Sequence, residues 1–248
     1  MSSDPCTPEA PLSALAQSAL RARVLQRVQR SQVHESQFVT VRRNQGDWDT
    51  SQAAVRSKPL ARTAVACSSL VELEPGASLA RSPGFTQAEL VLLNGLASIG
   101  DAALECGDAA CAPHDAHHVL RAGPTGVRLY LRLSTPAAAA ARLQRFSTLT
   151  EDASWDDFCP GVRIKALWDG GERRSLLVRM RAGAQVNAHG HPLEEECMML
   201  AGELFVGDTL LRGGEYQLAP QGSRHGKLTT DVGALLYVHG ALDPASYA

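Results

Sequence analysis

Aromatic residues make up only 5% of this 248-residue chain, and basic charge is not in surplus: 24 Lys+Arg stand against 26 Asp+Glu, a formal net charge of −2. Nucleic-acid binders carry a basic face, and single-strand binders add aromatic stacking platforms, so the composition argues against both. No apolar run approaches the ~18 residues that a membrane-spanning helix needs. The longest, around Leu90–Ile99 and Ala234–Val238, are strand-sized. The N-terminus carries Asp4 and Glu9 without a basic start or an apolar stretch, so it does not read as a secretory signal. Six cysteines, at 6, 67, 106, 111, 159 and 197, include no CxxC and no regular spacing. That is the pattern of reduced thiols in a cytoplasmic protein. A GxSxG elbow and a phosphate-cradling glycine loop are missing too. What is present is 44% hydrophobic and 20% charged, enough for a packed core.

The chain repeats itself. Trp48-Asp49 recurs as Trp155-Asp156, and Val55-Arg56-Ser57-Lys58 as Val162-Arg163-Ile164-Lys165, both at one fixed offset in numbering. The same offset pairs Gly76 with Gly183, Gly95 with Gly202, Pro113 with Pro220 and His118 with His225. From 46 to 133 it needs no gap, and 24 of those 88 positions are identical, concentrated on turn glycines, prolines and alternating apolar residues. This reads as an internal duplication: two domains of one fold, at 46–133 and 153–240, followed by a tail at 241–248.

Within each copy the segments are short, alternating and punctuated by glycine, as in Glu203-Leu204-Phe205-Val206 and Ala234-Leu235-Leu236-Tyr237-Val238. Strands at this density predict an all-β barrel or sandwich. Between the copies, Pro136 followed by Ala137 to Ala141 predicts a linker helix within 134–152. Residues 1–45 have no twin. From Thr7-Pro8-Glu9 onward, Leu12, Leu15, Ala16, Ala19, Val24 and Val28 form a rough helical stripe while Arg21, Arg23, Arg27 and Arg30 face elsewhere. An N-terminal helix and a lead-in strand are expected there. The helix either caps the core with solvated arginines or docks on an acidic partner.

Chemistry concentrates in the second copy. Gly183 opens a run in which His189 and His191 stand at i and i+2, so on an extended segment both face one way. A turn at Pro192-Leu193 then lets Glu195 enter the next strand facing the same interior. Pro220 and Gly222 fix a second bend that delivers His225 from another strand. Three imidazoles and a carboxylate converging inside a barrel suit a first-row divalent metal with positions left open for water or a ligand. The pattern GxxxxxHxHxxxExxxxxxG over 183–202, followed by GxxxxxPxGxxH over 214–225, is similar to that of the cupin superfamily. Thr229, where the second motif often ends in asparagine, departs from it at a position that is not a ligand.

The resemblance implies two tandem cupin barrels (a bicupin) and a metal held by His189, His191, Glu195 and His225. The helix around Leu20–Leu25 leading into Phe38-Val39-Thr40-Val41-Arg42, the run Glu194-Glu195-Glu196 and the segment Pro220–His225 resemble the ChrR-like cupins. That likeness favours zinc, with iron, manganese or nickel as in oxygenase members. In anti-sigma proteins of that group, an N-terminal zinc module of histidines and a CxxC holds a sigma factor. Before residue 46 this chain has only His34 and Cys6, so a sigma factor is not expected as a partner.

The offset supplies an internal control. His189 faces Ser82, His191 faces Gly84 and Glu195 faces Ala88; only His225 keeps its twin, His118. The first domain is therefore expected to be a degenerate cupin, with at most a weak site at His114, His117 and His118. Glu196 has a twin, Glu89, which favours a structural role, and the pairs Trp48/Trp155, Arg56/Arg163 and Lys58/Lys165 favour fold maintenance. His239 is expected to be a satisfied interior or rim histidine, and Cys197 a small buried filler. Glu203 and Tyr237 are candidate acid–base groups. Two uses compete: a sensing or regulatory module whose metal detects a small molecule, or a metal-dependent dioxygenase of a small dicarbonyl or phenolic substrate. The expected partner is a small-molecule ligand, with a homodimer compatible, and neither nucleic acid nor membrane.

Overall fold

The computed structural model describes residues 14–136, 139–149 and 154–241. The chain divides into two units, 1–37 and 38–248. The first contains one 22-residue helix, α1 (Ala14–Glu35); its expected start at Thr7-Pro8 and the expected tail beyond residue 241 lie outside the described residues.

The second unit is antiparallel β throughout. In chain order its strands are β1 (Val39–Val41), β2 (Val55–Arg62), β3 (Ala66–Leu73), β4 (Gln87–Ile99), β5 (Ala102–Glu105), β6 (Asp108–Pro113), β7 (Leu120–Ser134) and β8 (Gln144–Ser147). The second half follows with β9 (Asp156–Cys159), β10 (Val162–Asp169), β11 (Arg174–Met180), β12 (Gln185–Val186) and β13 (Glu195–Val206). It ends with β14 (Thr209–Arg212), β15 (Tyr216–Ala219), β16 (Leu228–Thr229) and β17 (Ala234–Gly240). One sheet runs β2-β3-β7-β4-β6-β8 and the other β1-β15-β13-β17-β11-β10-β9. Strands β2 and β5 begin and end at the positions whose twins begin and end β10 and β14. The result is two tandem barrels.

Strand alternation divides the apolar residues between three cores. Leu129, Leu131 and Leu133 of β7 point into the first barrel with Val71, Leu90 and Leu92. Met199, Leu204, Leu211 and Leu236 fill the second. The residues between them in sequence turn the other way. Leu70, Val91 and Tyr130 meet Leu177, Met198, Tyr216 and Tyr237 in a seam between the halves. Strands buried on both faces read as near-continuous apolar runs, which is why Leu90–Leu93 and Leu235–Val238 show little polar alternation. Each fully buried Leu of this seam contributes roughly 1.5–3 kcal/mol.

The halves also exchange edge strands. Strand β1, which precedes the first barrel, pairs with β15 of the second (Val39 with Leu218, Val41 with Tyr216). Strand β8, which precedes the second barrel, pairs with β6 of the first (Ala109 with Phe146, Cys111 with Gln144). Two buried lysines hold the exchanged segments. Lys58 Nζ donates to the carbonyls of Arg42 and Arg43 at 3.2 and 3.1 Å, and its twin Lys165 donates to Ser147 O at 3.0 Å.

The expected linker helix is therefore corrected. Among the described residues of 134–152 the regular element is strand β8, and Ala140 N–H donates to the Gln87 Oε1 side chain at 2.8 Å. Helix propensity in an alanine run is worth tenths of a kcal/mol per residue. Pairing an otherwise open edge of β6 and burying Phe146 outweigh it.

Two glycines allow the long strands to cross. Gly202 has φ +77°, and a Cβ there would lie 2.0 Å from Gly233 O. Its twin Gly95 has φ +85°, with Gly126 O 2.2 Å away. No side chain fits either position.

Candidate metal centre

Two loops build the site. The segment between β12 and β13 carries His189 and His191, and the segment between β15 and β16 carries His225. They run beside each other: His191 N–H donates to Ser223 O, His225 N–H donates to His189 O (both 2.9 Å), and Gly222 N–H donates to His191 O at 2.8 Å. This short ladder gives the three imidazoles their common face. All three are buried. Glu195 follows at the first position of β13, where the turn at Pro192-Leu193 delivers it.

Donor atoms of His189, His191 and Glu195 lie within 4.8 Å of one another, the one such group among the described residues. His225 stands beside this cluster rather than in it, its ring centroid 4.4 Å from that of His191 and 5.6 Å from that of His189. In the first barrel, the trio His114, His117 and His118 is not assembled. His114 Nε2 accepts from Ser82 N–H at 3.1 Å, and His118 Nδ1 is 2.8 Å from Asp115 Oδ1.

The outer contacts set the tautomers. His189 Nδ1–H donates to the Asn187 carbonyl at 2.9 Å, leaving the lone pair on Nε2. Ser223 Oγ donates to Pro220 O at 2.5 Å, so it accepts from His191 Nδ1–H at 2.9 Å. His191 Nε2 then faces Glu195 Oε1 across 3.7 Å. Such contacts orient ligating imidazoles and raise their basicity. Burial pushes the Glu195 carboxyl up to about 7, as expected of a carboxylate set in apolar surroundings without its counter-charge. Two oriented imidazole lone pairs and a desolvated carboxylate suit a divalent first-row cation, which would supply Lewis acidity there when bound.

The donors open onto a cavity of about 80 Å³ lined mostly by aliphatic side chains, among them Ile164, Leu176, Met180, Val186, Leu204 and Leu236. At ~30 Å³ per water, this holds two or three waters or one very small molecule. Cys197 lines it too, and burial raises its thiol well above the usual range, the behaviour of an inert filler. Neither expected acid–base candidate lines this cavity. Glu203 pairs with Arg212 at 3.1 Å, and Tyr237 donates to Glu89 Oε2 in the seam at 2.9 Å.

One functional neighbour escapes the sequence patterns. The Phe38 ring stacks on His225 at 4.8 Å with planes 13° apart, and meets His191 edge-on at 6.3 Å. It precedes the exchanged strand β1, so its approach to the site depends on a pairing that no local pattern announces. Its position has no apolar twin, since Arg145 stands at the equivalent place in the repeat.

Residues 143–243, which contain all of these donors, match the family described as the ChrR Cupin-like domain. Over that segment the chain is similar to the ChrR cupin-like domain. Solved structures with the cupin fold extend the likeness to both barrels. A Nostoc punctiforme protein described as a "putative dioxygenase" is similar at TM-score 0.66 and 16% identity, over 85% of this chain and 87% of that one. The bacterial pirin YhhW of Escherichia coli, in complex with nickel(II), gives 0.61 and 9% over 82% and 98%. A tryptophan-to-tyrosine variant of the Bacillus subtilis oxalate decarboxylase gives 0.56 and 13% over 83% and 77%. At these identities the likeness shows the fold alone. No curated protein matches the sequence. No described helix is long and apolar enough to cross a membrane.

Proposed function

We propose that the ChrR-like cupin barrel holds one divalent metal ion through His189, His191, Glu195 and His225 and uses it to bind a small molecule, as a sensing or regulatory module of the cytoplasm. The observation that carries this reading is the outer shell. Asn187 and Ser223 take the Nδ1 protons of His189 and His191, so both Nε2 lone pairs converge with Glu195 on one point. Zinc is the favoured ion. The cavity around the donors offers no general acid or base beyond the donors themselves, which favours binding over turnover. The first barrel, with Ser82, Gly84 and Ala88 at the equivalent positions, serves as a partner that has lost the ligands.

A second reading, a dioxygenase of a small dicarbonyl or phenolic substrate, is favoured by the Nostoc relative's description and by the apolar lining of the cavity. Metal analysis of protein purified without a histidine tag, followed by oxygen-uptake assays with diketones and catechols, separates the two. Zinc near one per chain and no oxygen uptake support the sensing module. Iron with substrate-dependent uptake supports the oxygenase. Failure to retain zinc, iron, manganese or nickel after loading and desalting overturns both.

Ser223→Ala probes the outer shell directly. It removes the acceptor that holds His191 Nδ1–H and is expected to weaken metal binding ~10–100-fold in a competitive chelator titration, with the melting temperature of the metal-free protein nearly unchanged. Unchanged affinity would show that the backbone ladder alone orients His191.

A further inference from the structure

The first barrel keeps an interior of its own. Where the second barrel has His189, His191 and Glu195, the first has Ser82, Gly84 and Ala88, three small residues. The core does not fill the space beside Ala88. A cavity of about 240 Å³ lies there, against about 80 Å³ around the metal donors. Leu79, Leu90, Ile99, Leu131 and Leu133 supply most of the rest of its wall. At ~30 Å³ per water it has the volume of about eight waters, or of a molecule of roughly eight to ten non-hydrogen atoms. An aliphatic lining gives water few partners, so the cavity suits an apolar chain.

Its polar groups come from two segments. Arg81 lies between β3 and β4, and His114 directly follows β6. At the fixed offset their equivalents are Ala188 and Gln221, so neither has a counterpart in the copy that keeps the metal donors. The apolar wall, by contrast, is shared: Leu79, Ile99 and Leu131 correspond to Val186, Val206 and Val238, which line the metal cavity.

The His114 ring is fixed in orientation and in proton position. Its backbone N–H donates to Thr86 O at 2.9 Å, and its Nε2 accepts from Ser82 N–H at 3.1 Å. A backbone N–H can only donate, so Nε2 carries the lone pair and the proton of the neutral ring sits on Nδ1. Burial, with Arg81 nearby, holds the imidazole below its ordinary pKa and keeps it neutral at physiological pH. Nδ1–H is therefore a donor, and it has no partner among the described residues.

The neighbouring charges decide which ligand this end prefers. Arg81 is exposed and makes no hydrogen bond or ion pair among the described residues. Asp115, the acidic group that lines the cavity, is engaged. Its Oδ1 accepts from His118 Nδ1–H at 2.8 Å, from His117 N–H at 2.8 Å and from His118 N–H at 3.1 Å. These donors, the His118 ring first, hold its carboxyl below the usual range. On His114 the positive charge of Arg81 acts more strongly than the negative charge of Asp115. A free guanidinium and a free N–H donor at the open end of an apolar cavity complement an anion with two acceptor oxygens.

We propose that the first barrel binds a short aliphatic carboxylate of about six to eight carbons, its chain against Ala88, Leu90 and Leu131 and its oxygens accepting from the Arg81 guanidinium and His114 Nδ1–H. The site shares no residue with His189, His191, Glu195 and His225, so it stands whether or not the second barrel holds a metal. The copy without metal donors is then a binding domain in its own right.

Isothermal titration of the full chain with hexanoate, hexylamine and 1-hexanol, which share a chain and differ in charge, tests this, with acetate as the headgroup alone. Hexanoate is expected to bind at one per chain and at least about tenfold more tightly than any of the other three. Carboxylates also ligate metals, so each titration is run on metal-loaded and on chelator-treated protein, and hexanoate should bind equally to both. Arg81→Gln changes an exposed side chain where folding is not at risk, and should weaken hexanoate about tenfold. Ala88→Leu fills the cavity and should abolish hexanoate binding; Arg81→Gln decides if that variant does not fold. The proposal is overturned by no hexanoate binding, by binding that needs the metal, or by hexylamine, hexanol or acetate binding as tightly. Hexanoate affinity unchanged in Arg81→Gln or in a folded Ala88→Leu overturns it too.

Discussion

Alanine at His189 or at His191 is expected to reduce bound metal from about one ion per chain to less than about a tenth of that, with the circular dichroism spectrum unchanged. These two imidazoles and Glu195 are the donors already within 4.8 Å of one another, so removing either leaves two. The two imidazoles sit in loops between strands rather than within one, so their loss unpairs no strand. His225→Ala is expected to cost less. Its ring is stacked on Phe38 and lies beside the cluster, so an ion gains it only after the ring shifts. Metal analysis of the three purified variants checks the order, and metal content equal to that of the wild type in all three would sink the ligand assignment.

Acidity adds a second axis to that experiment. In the metal-free protein the Glu195 carboxyl is raised to about 7, above its ordinary value. A carboxyl raised on folding stabilises the folded state below its unfolded pKa and loses that contribution as pH rises through the folded one. Between about pH 4.5 and 7 the metal-free protein should therefore lose roughly 3 kcal/mol. A cation bound to the carboxylate reverses this, and protons compete with it for both Glu195 and the imidazoles. The gap in melting temperature between loaded and metal-free protein should be wide at pH 8 and nearly closed at pH 5. A gap that does not change with pH would show that ionised Glu195 is not part of the site.

Much of the architecture is legible because it is written at one offset. Pairs such as Gly95/Gly202 mark close backbone approaches that only glycine permits, so the strands around them align without a structure. The donors His189, His191 and Glu195 are legible for the same reason, since they break the pairing while the glycines around them keep it. What the sequence hides is non-local. Strand β1 joins a sheet edge in the far half of the chain, Thr40 opposite Gln217, and nothing near Thr40 specifies that edge. Phe38 inherits its place from that pairing. The alanine run after Pro136 suggests a helix because local propensity is the only signal there, and the open edge of β6 outweighs it. Tyr237 suggests an acid–base group because it lies in the copy that carries the ligands. Period-two alternation turns it to the opposite face of β17, into the seam.

The seam makes the other large prediction. Arg132, 5% exposed, binds Glu196 and Glu89, and three tyrosines complete the shell: Tyr216 donates to Glu196 at 2.9 Å, Tyr130 to Glu196 at 3.3 Å, and Tyr237 to Glu89 at 2.9 Å. Glu89 and Glu196 stand at equivalent positions at the one fixed offset, whereas His239 stands at the position equivalent to Arg132. One guanidinium thus bridges carboxylates from both halves. Arg132→Met keeps the aliphatic bulk and leaves two buried carboxylates without a cation. Breaking a buried ion pair from one side costs roughly 3–5 kcal/mol, so the urea midpoint should fall sharply at pH 7. Adding Glu89→Gln and Glu196→Gln to Arg132→Met removes both stranded charges and should restore most of the loss at pH 7, since a neutral, hydrogen-bonded cluster can replace a buried ion pair at little cost. A single variant that loses less than about 1 kcal/mol, or a triple variant no better than the single one, would mean that packing of the three tyrosines, rather than charge, joins the two barrels.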